Sequence, residues 1–281
     1  MIPKEQKIEN LIKEDYYIQK MEWSKENRDF VENNENVHPT NEEAEIYERI
    51  KGKNRMCFTL HNKYFPKNKI LAFNLCSLSD HPINSMHQLF ENDKSLIINP
   101  SYAIYYSIIS LKILVRISSV LIHLIAEHLE REMNISFHQT LSPIPSLSEF
   151  LVKKENLPLI EKNLSTEQFS SLLKAYQFCK QKDPHFFERE TANKNEWLNQ
   201  LMLYLFNHAS QKTIEEIQSY LQSPMLELAR YLIRDTSFDS VAKFHLNNGA
   251  QFLPENVFWM ADLKPVRMKQ SLGIMTSYIY K

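Results

Sequence analysis

The chain has 281 residues, with 33 basic side chains against 34 acidic ones. That balance excludes a bulk attraction to nucleic acid or to an anionic membrane, and the length suits one large domain or a domain with an appendage. Cys57, Cys76 and Cys179 are odd in number and far apart, which excludes a disulfide framework and a Cys-X-X-Cys metal site and suits a reducing compartment.

The charged start, residues 1–9, does not read as a signal peptide. Residues 1–36 are polar, with a weak helical stripe at Ile8, Leu11, Ile12 and Tyr16, and read as a short surface helix running into a solvated tail at 33–36. Residues 41–50 predict a helix entered through Thr40 and Asn41, with acidic residues in its first turn. Two strands are expected at 56–61 and 70–75, and a short amphipathic helix at 85–91. Residues 103–109, rich in Ile and Tyr, predict a buried strand, and 116–133 a mostly buried helix. Residues 102–126 are the most apolar stretch, but Lys112, Arg116 and His123 within it argue against a membrane span. A strand follows at 135–141, ended by the two prolines of Ser142-Pro143-Ile144-Pro145. From 147 to 233 the pattern is helical throughout, and the last residues return to strands at 241–246, 257–260 and 274–280. Strands alternating with helices around a long helical insertion give an α/β or α+β class.

Only three glycines occur, Gly52, Gly249 and Gly273. A glycine-rich phosphate loop anywhere between the first two is therefore excluded. The histidines show no metal-ligand spacing, so no metal site is expected.

Two stretches carry more than a class. One is Thr140-Leu141-Ser142-Pro143-Ile144-Pro145. The other is Val241-Ala242-Lys243-Phe244-His245-Leu246-Asn247-Asn248-Gly249-Ala250, followed by Trp259-Met260-Ala261-Asp262 and Ser271-Leu272-Gly273-Ile274-Met275. Together they resemble the catalytic domain of malonyl-CoA decarboxylases, and weaker agreement runs through Val37-His38-Pro39 and Ala103-Ile104-Tyr105-Tyr106-Ser107. The resemblance covers most of 37–281. It implies a fold akin to the GCN5-related acetyltransferases, a mixed sheet flanked by helices. Residues 37–281 would then be the catalytic domain, with a helical insertion at about 147–233, and 1–36 a short appended segment.

By the same resemblance the catalytic pair is Ser142 and His245, with Tyr280 matching a further family tyrosine. The reaction implied is decarboxylation of malonyl-CoA, or a related short acyl-CoA, through an enolate. No cofactor is needed, because the thioester carbonyl is itself the electron sink. A hydroxyl on a proline-stiffened turn is a well-fixed donor to an enolate oxygen, and a histidine titrating near neutrality can donate first a hydrogen bond and then a proton. Taken alone, each has a plainer reading: Ser-Pro starts turns, and a histidine between Phe244 and Leu246 is commonly a hydrogen-bonded core residue.

This chain departs from the family in its coenzyme A loop. Residues 107–119 hold no glycine where the family uses several, and a Cβ keeps backbone amides away from a pyrophosphate. Ser118 and Ser119 could substitute at the helix start, and Lys112 or Arg116 could add charge. Residues 1–36 stand where the family has a long helical association domain, which leaves a homo-oligomer open. The chain ends at Lys281, where relatives continue with a tail, and without the peroxisomal Ser-Lys-Leu, so a cytoplasmic protein with an acyl-CoA partner is expected. Two other readings stand beside the enzyme: an acyl-CoA-binding or regulatory protein with a degenerate loop, and an acetyltransferase by fold kinship.

Overall fold

The computed structural model describes residues 14–66, 69–111, 117–187, 196–235 and 237–280. These fall into two compact units. The first takes the chain up to Ile83, residues Gln88–Leu141 and the last residues from Ile279; the second takes Asn84–His87 and Ser142–Tyr278.

The first unit is built on strands β1 (Tyr16–Lys20), β2 (Arg55–Asn62), β3 (Ala72–Ser79), β4 (Tyr102–Ser110) and β5 (Phe137–Thr140). Four run antiparallel in the order β1-β2-β3-β4, and β5 joins β4 in parallel, with Tyr102 opposite Phe137 and Tyr105 opposite Thr140. Every residue of β3 is buried, as a strand covered on both faces requires. Helices α1 (Lys25–Asn34), α2 (Glu43–Lys51), α3 (Met86–Glu91) and α4 (Ile117–Met133) accompany them, the first residues of α3 lying in the second unit. Helix α4 buries Ile117, Leu121, Ile122, Ile125 and Leu129, spaced for one helical face, and packs on β3 and β4. Each such side chain contributes about 1.5–3 kcal/mol, so an aspartate at Leu121 would break the layer.

The second unit opens with the two-residue strand β6 (Ser142–Pro143). Helices α5 (Leu147–Val152), α6 (Leu157–Asn163), α7 (Thr166–Lys182), α8 (Glu196–Asn207), α9 (Gln211–Glu216) and α10 (Gln218–Arg234) follow. Then come α11 (Ser240–Asn247), β7 (Gln251–Phe258), α12 (Pro265–Ser271) and β8 (Met275–Tyr280). Helix α7 starts on a capping box between Ser165 and Gln168, which satisfies two amides that the helix itself cannot. It packs against α10 and α8, and α8 against α5. Strand β8 pairs with β6 and β7 in this unit; its last two residues, Ile279 and Tyr280, belong to the first unit and pair there with Gln139 and His138. The mixed α/β class expected from the sequence is present.

Four expectations need correction. Residues 241–246 are not a strand but part of helix α11. The apolar residues look alternating, yet Ala242 and His245 are the buried ones, and their spacing of three is helical. Tyr16 begins a strand that pairs with β2; the helix of this region is α1, capped by the Ser24 hydroxyl and anchored by buried Val31. Ile8, Leu11 and Ile12 lie outside the described residues. Nor is 33–36 a solvated tail throughout, because Glu35 is buried and accepts the amides of Val37 and His38. Helix α2, expected to be entered through Thr40 and Asn41, takes Glu42 as its N-cap, without a side-chain bond.

Candidate active site

Ser142 owes its position to backbone constraints. Strand β6 pairs Ser142 with Thr276 and Pro143 with Met275 of β8. Beyond it the Leu147 amide donates to the Ile144 carbonyl, closing a turn that contains Pro145 and leads into α5. The two prolines fix φ on either side of Ile144 and remove competing donors.

His245 is carried by α11. The helix starts at Asp239, whose Oδ1 accepts the amides of Val241 and Ala242, each at 2.9 Å; this is ordinary N-capping, worth about 1 kcal/mol. It ends where the amides of Asn248 and Ala250 both return to the His245 carbonyl and Gly249 takes φ +82°, a conformation that costs a glycine little.

These two elements bring Ser142 Oγ to 3.2 Å from His245 Nε2. The Tyr278 ring stacks on the imidazole, with centroids 4.5 Å apart and planes at 22°, and Phe244 meets it edge-on at 5.0 Å. Ser142 is 6% exposed and His245 4%. Burial holds the imidazole's pKa down to about 3, because a charged ring there would forfeit its hydration. The expectation that His245 titrates near neutrality is thereby corrected: it is neutral at physiological pH. One ring nitrogen then carries a proton and the other does not, so the contact with Ser142 is a hydrogen bond to an uncharged ring.

The other sequence candidates belong to the first unit or fall outside the described residues. Tyr280 belongs to the first unit, paired with His138 across the sheet, its ring edge-on to His123 at 6.5 Å, and burial raises its pKa. Ser118 and Ser119 are the second and third residues of α4 in that same unit, the former buried, the latter accepting at its carbonyl from His123 Nδ1 at 2.8 Å. Lys112 and Arg116 lie outside the described residues. Sequence reasoning missed Tyr278, although it sits two residues before the tyrosine that was chosen and therefore points to the same side of β8. It also missed Asp239, whose place before a helix start was hidden by the reading of 241–246 as a strand.

The glycine before β8 is explained by contact. Gly273 has φ +72°, and a Cβ there would stand 2.7 Å from the Asp262 carbonyl oxygen. The Asp262 amide donates to the Gly273 carbonyl, and the Asp262 carboxylate accepts the Lys264 amide ahead of α12. Among the described residues, no helix is long and apolar enough to cross a membrane, and no three His, Cys, Asp or Glu side chains converge as metal ligands. The three cysteine thiols are buried and free, with pKa values raised by burial.

The sequence profile of the malonyl-CoA decarboxylase C-terminal domain matches residues 17–281. The chain belongs to that family. The match begins earlier than the resemblance at 37–281 and takes in α1 and all of β1 but Tyr16. Among solved structures, malonyl-CoA decarboxylase from Rhodopseudomonas palustris superposes with a TM-score of 0.70 at 20% identity, over 98% of this chain and 62% of the other. The enzyme from Agrobacterium vitis gives 0.70 at 17% identity, over 98% and 64%. That from Cupriavidus metallidurans gives 0.65 at 19%, again over 98% and 64%. The chain thus spans less than two thirds of the length of these relatives. The loading GNATL domain of CurA from Lyngbya majuscula matches at a TM-score of 0.50 and 10% identity, over 95% of this chain and 97% of that domain. At these identities the likeness is one of fold, and it bears out the GNAT-like architecture. No curated protein sequence gives a significant match.

Proposed function

We propose that this member of the malonyl-CoA decarboxylase family removes carbon dioxide from malonyl-CoA, or from a close acyl-CoA with a free carboxylate, and leaves acetyl-CoA or its homologue. The observation that carries the reading is the 3.2 Å contact between Ser142 Oγ and His245 Nε2 in a buried setting. As the carbon–carbon bond breaks, its electron pair moves into the thioester as an enolate and carbon dioxide departs. The α-carbon then takes one proton, so the net reaction consumes a proton from solvent. In this reading Ser142 and His245 act as one hydrogen-bonded pair, and the serine hydroxyl is the donor to the enolate oxygen. Fixed donors in a site with little water stabilise developing charge far more than water would. No acyl-enzyme forms, and the thioester makes a separate cofactor unnecessary.

A second reading, acyl-CoA binding without turnover, is favoured by the glycine-free stretch 107–119. One experiment separates the two: purified protein is incubated with malonyl-CoA while carbon dioxide and acetyl-CoA are followed. Equimolar release of both is expected. Thermal stabilisation by malonyl-CoA without carbon dioxide would overturn the decarboxylase and support binding alone.

A further inference from the structure

Asp239 does more than cap a helix. Its side chain is buried, 1% exposed, and both carboxylate oxygens are used. Oδ1 accepts the amides of Val241 and Ala242 at the start of α11, each at 2.9 Å. Oδ2 accepts the amide of Ser146, at 3.3 Å, 93 residues away in sequence. Ser146 is the residue directly after Ser142-Pro143-Ile144-Pro145. One carboxylate therefore bonds to the main chain of both segments that deliver the pair, the turn with Ser142 and the helix with His245.

We propose that Asp239 is a positioning residue that sets the distance between Ser142 and His245 by holding their two backbones together. The proposal deepens the decarboxylase reading and, for its kinetic part, rests on it. A carboxylate suits the task because it accepts through two oxygens and has no proton to set against an amide. A cap needs only one oxygen, and serine, threonine or asparagine would provide it. The second oxygen is what a purely capping residue leaves idle. The N-terminal dipole of α11 also suits a carboxylate as its cap.

The substitution that separates the two tasks is Asp239→Asn. Asparagine still caps α11 through its oxygen but then turns an N–H₂ toward the Ser146 amide, donor against donor. Asp239→Ser also keeps the cap and does not reach Ser146. If the carboxylate positions the pair, both variants remain folded and lower kcat for malonyl-CoA by roughly 10- to 100-fold, because displacements of about 1 Å at reacting groups carry penalties of that order. KM should change less than about twofold, since the bound thioester's other contacts remain. The His245 Nε2 resonance in 15N-histidine spectra should shift in both variants, which reads the pair without any turnover. In the unmutated protein the Ser146 amide should be protected from hydrogen exchange, which requires no variant to fold.

Several outcomes are distinguishable. A folded Asp239→Asn with unchanged kcat and an unchanged His245 resonance overturns the positioning role and leaves the decarboxylase reading intact. An inactive wild-type protein whose His245 resonance nevertheless shifts in the variants removes the proposed function and keeps Asp239 as the tie. Rapid exchange of the Ser146 amide in the native protein overturns the inference by itself.

Discussion

Acidification isolates the energetic consequence of burying His245. Its pKa in the folded protein is about 3, against an ordinary 6.5, and the cause is loss of hydration. As pH falls below 6.5 the unfolded chain takes up a proton on this ring while the folded chain does not. The unfolded state binds more protons throughout that window, so stability fully present above pH 6.5 drains away as the pH approaches 3. Between about pH 7 and about pH 4 the ring alone removes about 3 kcal/mol, a large share of the roughly 5–15 kcal/mol that holds a typical domain. His61 and His138 are also depressed by burial and act in the same direction, so the wild-type curve does not isolate His245. The comparison with His245→Asn does, because asparagine does not titrate and every other group is common to both proteins. Urea unfolding followed by tryptophan fluorescence and circular dichroism, repeated across this range, should show the wild type losing about 3 kcal/mol more than the variant. Whatever His245→Asn costs at neutral pH drops out of this difference of slopes. Parallel stability curves for the two proteins would refute the reasoning and mean that the ring is protonated, or hydrated, in the folded state.

Further outcomes follow from the same site. Carbon dioxide release should show no inflection near pH 6.5 assignable to His245, since a neutral buried ring has no proton to lose there; a titration at that pH that disappears in His245→Asn would contradict the neutral pair. His245→Asn and Ser142→Ala should each lower kcat by up to about a hundred- to thousandfold, with smaller changes in KM, as loss of a donor to developing charge does, and steady-state kinetics on the folded variants checks this. Gly273→Ala should destabilise the protein by about 1–3 kcal/mol, because φ +72° and a carbonyl oxygen 2.7 Å from the new Cβ both oppose it; an unchanged melting temperature would show that the turn can relax. Calorimetric titration with coenzyme A should give weaker binding than for a family member whose loop carries glycines, by about 1–3 kcal/mol if one or two backbone bonds to phosphate are missing. Equal affinity would mean that other donors have rebuilt the cradle.

Strands β2 to β5 of the first unit were legible because they carry a signal that burial imposes, whereas the half-exposed edge strand β1 was read as helix. Tyr102–Ser110 is rich in Ile and Tyr and is buried at most positions, and the expected strand 103–109 falls within it. Helix α4 was legible because a long helix repeats its stripe often enough to be seen. Helix α11 was not, because eight residues make barely two turns, and Val241, Phe244 and Leu246 are only partly buried while Ala242 and His245 face inward. The link between Ser142 and His245 was reached through family likeness, as no local pattern relates residues so far apart. The Asp239 bond to Ser146 was beyond the sequence altogether: a carboxylate accepting backbone amides has no partner side chain to recognise. The pKa of His245 was equally hidden, since residue type sets the ordinary value and only packing sets the departure from it.

The contact between Ser142 and His245 joins residues 103 positions apart. For a flexible chain, closing a loop of that length costs about 4 kcal/mol, which a single neutral hydrogen bond does not recover. The contact therefore depends on the helices Thr166–Lys182 and Gln218–Arg234, which pack together within that loop. During synthesis the serine emerges long before the histidine, and the nascent chain holds a hydroxyl with no ring to meet. The pair is accordingly a long-range contact of the kind that slows folding. Recovery of the His245 resonance after dilution from denaturant would time the completion of the second unit, while a polypeptide cut between the two residues regains the pair only if its halves find each other.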